Sequence, residues 1–285
     1  MVVSKIAIIC DSTGSNSEKE QKEWGIHINY LSINFNMDSY QEFKELSPDK
    51  FIELCEQHEE LPTTSHPAPG IIMELYESLL NQGYKHVIHI TVSSKLSGSY
   101  QTALMSADLV DSSRIHVFDS CTVAYTQGML AVNAAKKVTE GATIDKVLDY
   151  LEMMKQNNRF YCVINDLTNL RKGGRLSNIE AKLGSVLQIK PLLMLAHDGS
   201  VDPVEKVRTF KKALNRLVEI TKEANLNNNY QLSVMHIVNL EGAKIVREKL
   251  QEIYPNLDIA IADISLVVAV HGGPRAVGVG WVKIK

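Results

Sequence analysis

Residues 86–99 read His86-Val-Ile-His-Ile-Thr91, then Val92, then Ser93-Ser-Lys-Leu-Ser-Gly-Ser99. A short apolar run with β-branched residues gives way to small hydroxyl-bearing residues that open a helical pattern, the texture of a buried strand feeding a loop and a helix. The same order recurs at Ile6-Ala-Ile-Ile-Cys10, which runs into Asp11-Ser12-Thr13, and at Ile115-His-Val-Phe118, which runs into Asp119-Ser120. Between them, Ile72, Leu75, Tyr76, Leu79 and Leu80 share one face of a helix that Gly83 stops. Ile144, Val147, Leu148 and Leu151 repeat that spacing behind Thr143, an N-cap residue. Continuous apolar strands alternating with amphipathic helices predict βαβ units and a mostly parallel sheet covered on both faces.

From Arg159 the texture changes. Phe160-Tyr-Cys-Val-Ile164 reads as a strand, and Arg171-Lys-Gly-Gly-Arg-Leu-Ser177 as a basic turn. Ile189 to Leu195, the turn His197-Asp-Gly-Ser200 and Val201 to Val207 predict a hairpin. A helix with Phe210, Ala213, Leu214, Leu217 and Val218 inward should follow. After it come a strand over 231–237, a helix over 243–253, a strand over 259–264 and a last strand over 277–283. The predicted class is α/β with two domains: residues 1–157 hold a mostly parallel sheet with flanking helices, and residues 158–285 an α+β sheet layered with helices. A length of 285 residues fits two domains at roughly 150 residues each. No Pro- or Gly-rich linker marks the boundary at 157.

With 45% apolar and 22% charged residues, wholesale disorder is excluded. A net charge of -3 argues against a general nucleic-acid or anionic-membrane binder. No apolar run approaches the ~20 residues of a membrane helix, so no stable membrane insertion is expected. Met1 to Lys5 lead straight into the first strand without the features of a signal peptide. Cys10, Cys55, Cys121 and Cys162 are scattered and lack metal-ligand spacing; reduced thiols and a cytoplasmic location are expected.

The usual catalytic signatures are missing. There is no GxxxxGK[ST], no GxGxxG after the first strand, no HExxH and no GxSxG. His86 and His89, three apart on a strand, face opposite ways and cannot chelate together. What remains is four hydroxyl-rich segments: Asp11-Ser12-Thr13, Pro62-Thr-Thr-Ser-His-Pro67, Ser93 to Ser99, and Asp119-Ser120. At the carboxyl ends of parallel strands, beside helix N-termini, such loops suit an anion. Taken singly, each is ordinarily an N-cap. Hydroxyls without a neighbouring base bind carboxylate or phosphate and catalyse little. His271 opens a Gly-Pro loop after an apolar stretch read as a strand. Arg171, Lys172, Arg175, Lys206, Arg208, Lys211 and Lys212 form either a solvated basic face or a docking surface. Met73, Met105, Leu187, Ile189, Leu192 and Leu193 read as core or as the wall of a tunnel.

Six segments together carry a resemblance: Asp11-Ser12-Thr13, Thr64-Ser65-His66-Pro67, Ser93-Ser94-Lys95-Leu96-Ser97-Gly98, Gly173-Gly174-Arg175, Lys206-Val207-Arg208 and His271-x-Gly273-Pro274. In this order and spacing the chain resembles the DegV family of bacterial fatty-acid-binding proteins over essentially its whole length. The resemblance implies a long-chain fatty acid buried between two domains and no other cofactor or metal. It further implies a carrier, not an enzyme, that presents the carboxylate to a fatty acid kinase subunit, whose acyl-phosphate product feeds phospholipid synthesis. By motif position Thr64 and Ser97 match the carboxylate-binding hydroxyls, with Ser65, Ser94 and His271 as supporting contacts. Arg175 and Arg208 are candidates for docking the partner. His66 stands where many members have Gln, and Arg275 where Gly is usual after Gly-Pro. Two other readings stay open: a phosphotransferase or hydrolase using His271 or Asp11 in the same cleft, and a lipid sensor without a kinase.

Overall fold

The computed structural model describes residues 6–175 and 189–285. Strand β1 (Ile6–Asp11) is buried along its entire length, as an apolar run without alternation requires. It pairs in parallel with β2 (Ile26–Asn29) on one side and β6 (His86–Thr91) on the other. Strand β7 (Ile115–Asp119) pairs in parallel with β6, giving the order β2-β1-β6-β7. Helices Pro69–Asn81 and Ser99–Val110 cover one face, where Ile72, Tyr76, Leu79 and Ala107 pack on Ala7, Ile9 and Val87. Helices Ala124–Thr139 and Ile144–Gln156 cover the other face through Leu130, Ala134, Val147 and Leu151.

Helix Ala124–Thr139 sits on the 3-10 turn Ser12–Gly14 that follows β1. Thr13 Oγ1 donates to Gln127 Oε1 at 2.8 Å, and Asn16 Nδ2 donates to Gly128 O at 3.1 Å. A Cβ on Gly128 would stand 2.2 Å from the Gly14 carbonyl oxygen, and neither backbone can yield. Gly128→Ala is therefore expected to destabilise the fold by about 2–3 kcal/mol. A denaturant midpoint within error of wild type would contradict this close approach.

The second sheet has six strands in the order β10-β9-β8-β13-β11-β12. These are β8 (Arg159–Val163), β9 (Lys190–Leu195), β10 (Val201–Val207), β11 (Tyr230–His236), β12 (Ile259–Asp263) and β13 (Val277–Lys283). All neighbours are antiparallel except β11 and β12, which the helix Leu240–Ile253 joins. The expected hairpin is present as β9 and β10. Alternation splits the faces. Val163, Leu192, Val277 and Val279 pack on the helices Phe210–Glu223 and Leu240–Ile253, while Phe160, Ile164, Leu193 and Leu195 face the other way, into a separate core. The architecture is thus mixed α/β: a parallel sheet flanked by helices and a second, mixed sheet layered with helices.

Three expectations need correction. Strands β3 (Ser32–Phe35), β4 (Asp38–Gln41) and β5 (Thr63–Ser65) form a small antiparallel sheet in the order β4-β3-β5. The Pro62–Pro67 segment therefore contains a strand of its own and is not a loop at the edge of the parallel sheet. The apolar stretch before His271 is the helix Leu266–Gly272, not a strand; Ser265 caps it by accepting from Val268 N at 3.3 Å. The supposed basic turn begins as the helix Thr168–Lys172 and turns only at Gly173-Gly174. Its Leu176-Ser177 end, like Leu187, lies outside the described residues.

Candidate ligand-binding site

Between the two larger sheets lies a cavity of about 440 Å³, within the range of small-molecule sites. Its apolar wall draws on both halves of the chain: Leu31, Val92 and Val123 from the first, Phe160, Leu193 and Val267 from the second. The polar groups on its wall are Thr13, Thr64, Ser65, His66, Ser97, Arg175 and His271. Segments far apart in sequence thus bring hydroxyls, an imidazole and a guanidinium to an otherwise apolar chamber. That combination of groups is chemically suited to an amphiphile with one anionic end.

Thr64 is central in β5 and pairs with Ile33 of β3. Its Oγ1 lies 2.8 Å from His271 Nε2, at the end of the helix Leu266–Gly272. Burial, reinforced by the positive charge of Arg175, pushes the His271 imidazole down to about 4, so the ring is neutral at physiological pH. The contact fits either tautomer: with its proton on Nε2 the ring donates to Thr64 Oγ1 and leaves the Thr64 hydroxyl proton free for a ligand oxygen, and with its proton on Nδ1 it accepts from the Thr64 hydroxyl. His271 Nδ1 is buried without a hydrogen-bond partner among the described residues. Gly173 makes the ring's position possible, because a Cβ there would stand 2.4 Å from Nδ1.

Ser97 sits in the loop between β6 and the helix Ser99–Val110. Its Oγ accepts from Ser99 N at 3.2 Å, which leaves its own proton to donate. Arg175 fastens this loop to the Gly173-Gly174 turn: Nε donates to Leu96 O at 3.0 Å, and the guanidinium also donates to Gly173 O. Arg175 is therefore half-buried in the cavity wall instead of standing free as a docking side chain. Ser65 Oγ accepts from Asn34 Nδ2 at 3.3 Å. His66 packs over Gly98, with Nδ1 3.3 Å from Thr102 Oγ1.

Two candidates fall outside. Ser94 does not line the cavity; its N–H donates to Asp119 Oδ1 at 3.1 Å, so Asp119 shapes this turn. Arg208 is exposed just beyond β10 and is not part of the wall. Asp11 is not available for chemistry either. It is fully buried, and its carboxylate accepts from Asn29 Nδ2 (2.7 Å), Ser99 Oγ (2.8 Å) and Val92 N (3.0 Å). His89 Nε2 lies 3.1 Å from it, and Tyr76 OH lies 2.7 Å from His89 Nδ1. Burial alone would push the Asp11 carboxyl up, but the His89 contact and the other donors hold it below the ordinary range. Asp11 thus pins the start of the Ser97 loop. Among the tunnel candidates, Leu193 lines the cavity, Leu192 belongs to the helix-side core, and Met105 is half-exposed.

Arg275 has φ +66°, in the left-handed region that glycine occupies without cost. Its backbone is held there by N–H donation to Ile237 O at 3.0 Å and by Asn239 Nδ2 donating to its carbonyl at 2.9 Å. Arg275→Gly is expected to stabilise the protein by up to about 1 kcal/mol, the relieved left-handed strain exceeding the added freedom of the unfolded chain. The check is a raised denaturant midpoint at unchanged slope.

Among the described residues, no helix is long and apolar enough to cross a membrane, and no group of three or more His, Cys, Asp or Glu side chains could hold a metal ion. The four cysteines are free thiols.

Residues 5–284 match the family model described as uncharacterised protein, DegV family. A DegV domain-containing protein of Halalkalibacterium halodurans is 37% identical over 280 residues, covering 98% of this chain and 99% of that protein. The crystal structure of DegV from Bacillus subtilis, described as a fatty acid binding protein, superposes with a TM-score of 0.87 at 34% identity, covering 98% of this chain and 99% of that one. A fatty acid binding DegV family protein from Streptococcus agalactiae superposes with a TM-score of 0.89 at 29% identity, covering 98% of each chain. A match this complete, to chains whose whole length it spans, leaves one assignment: the chain belongs to the DegV family.

Proposed function

We propose that this protein binds a long-chain fatty acid in the cavity between its sheets and presents the carboxylate to a partner kinase for acyl-phosphate formation. The observation that carries this reading is the apolar cavity with Thr64 Oγ1 2.8 Å from His271 Nε2 on its wall and Ser97 on the same wall. Thr64 and Ser97 donate to the carboxylate, Ser65 and His271 support them, and Arg175 supplies positive charge nearby. Ser94 is assigned to the turn, not to ligand contact. The chain itself is a carrier and the chemistry belongs to the kinase, which Arg208 and the neighbouring basic residues help to dock. This reading places the protein in the cytoplasm and divides it near residue 157, just after the helix Ile144–Gln156.

The energetics agree with such a carrier. About fifteen methylenes at ~0.8 kcal/mol each give roughly 12 kcal/mol before ordering costs, so the chain supplies affinity and the hydroxyls fix orientation. Fatty-acid binding is named for the B. subtilis and S. agalactiae proteins, which share this fold over nearly the whole chain. Native mass spectrometry of the gently purified protein is the test. A stoichiometric long-chain acid is expected; neither a co-purified acid nor binding of added acid would end the reading. An acyl-phosphate assay with a cognate kinase then checks presentation.

A further inference from the structure

Glu42 follows β4 and is completely buried among residues of the cavity-side core. An acid in such a place is costly unless donors surround it. Its Oε1 accepts from Val267 N at 3.1 Å, in the first turn of the helix that ends at His271. The Ser12 and Ser265 hydroxyls and the Leu266 N–H also act on the carboxylate, while Oε2 has no hydrogen-bond partner among the described residues. On its main-chain side, Glu42 N donates to Leu31 O at 3.2 Å, at the entry to β3, and β3 carries β5 with Thr64. Glu42 therefore joins the two pieces that bear the Thr64–His271 contact. The first-turn N–H groups of a helix lack intrahelical partners, and the Glu42 carboxyl oxygen supplies one to Val267 N. From Leu266 to His271 the helix spans only about 7–8 Å, so a grip on its first turn sets the position of its last.

We propose that Glu42 is a positioning residue for the carboxylate site, gripping the helix Leu266–Gly272 from outside so that His271 at its other end meets Thr64. This rests on the fatty-acid reading. No motif marks Glu42, and its side chain does not line the cavity.

The test titrates wild type, Glu42→Ala, Glu42→Gln and Glu42→Asp with oleic acid and with methyl oleate. The His271 imidazole is followed in parallel by ¹⁵N NMR of the ligand-free proteins. Glu42→Ala is expected to weaken binding of the acid about tenfold or more, through loss of the hydrogen bond that holds the first turn of the helix, while leaving the ester unchanged. Its His271 resonances should also shift. Glu42→Gln, which keeps a carbonyl oxygen for Val267 N, should recover most of the acid affinity. Glu42→Asp, one methylene short, should behave like the alanine variant and carries the test if that variant does not fold. Unchanged acid-to-ester selectivity with unchanged His271 resonances overturns the proposal. So does a parallel loss of acid and ester, which marks a merely structural role. If wild type binds neither compound, the fatty-acid reading fails, and the His271 resonances still decide the part played by Glu42.

Discussion

Replacing Thr64 and Ser97 together by alanine is expected to weaken binding of a long-chain fatty acid by about 10²-fold or more. Each hydroxyl donating to a carboxylate contributes roughly 1.5–3 kcal/mol, so losing both removes at least about 3 kcal/mol. The apolar wall is untouched by these changes, because Phe160, Leu193 and Val267 come from other elements. Affinity for the methyl ester should therefore stay near wild type, since methylene burial continues to supply it. Isothermal titration with acid and ester reads both numbers. Wild-type affinity for the acid, with normal phosphorylation by a cognate kinase, would remove Thr64 and Ser97 from the head-group assignment.

The second large effect is on stability against pH. Burial pushes the Glu42 carboxyl up from 4.5 to about 7, and the Ser12, Val267, Ser265 and Leu266 donors only partly oppose that rise. Between these values the folded protein holds a proton that the unfolded chain has released. The contribution to stability is complete below about 4.5, falls as pH rises, and levels off above about 7. The span corresponds to about 3 kcal/mol. His271 works in the opposite sense: its folded value of about 4 lies below the ordinary 6.5, so its contribution is present above 6.5 and is lost as pH falls. Comparing wild type with Glu42→Gln cancels His271, which is common to both. The difference in unfolding free energy between the two proteins should move by about 3 kcal/mol from pH 4.5 to pH 8. A difference that is flat with pH would mean that Glu42 titrates as an ordinary carboxylate.

The parts of the fold legible in the sequence are those where one segment declares itself. β1 and β6 are apolar runs buried on both faces, β7 is a shorter, partly buried run at the sheet edge, and the helices Pro69–Asn81 and Ile144–Gln156 keep a clean 3.6-residue stripe. β5 is invisible by that rule: Thr63-Thr-Ser65 has no apolar residue and is a strand only because β3 lends it a partner. The stretch Leu266-Val-Val-Ala-Val270 misleads in the other direction. Its β-branched residues suggest a strand, and the Ser265 cap, with Glu42 from a distant segment, makes it helical. Short apolar runs do not separate the two states by periodicity alone.

The same division runs through the site. Thr64, Ser97 and His271 stand out only as members of an ordered set of motifs; composition and spacing left each of them an ordinary cap or loop residue. The structure brings these three to one cavity wall, moves Arg175 into that wall, and leaves Ser94 and Arg208 outside it. The apolar lining had no signal, because Leu193 and its neighbour Leu192 are alike in sequence and differ only in which face of β9 they occupy.

The contact between Thr64 and His271 spans 207 residues. During synthesis at about 5–20 residues per second, roughly 10–40 s separate the appearance of its two members. Through that interval the first half can fold its own sheet, but no chamber exists for a ligand to enter. A ligand of this chamber therefore cannot act as a template for early folding; it can only meet a chain whose far end has already arrived.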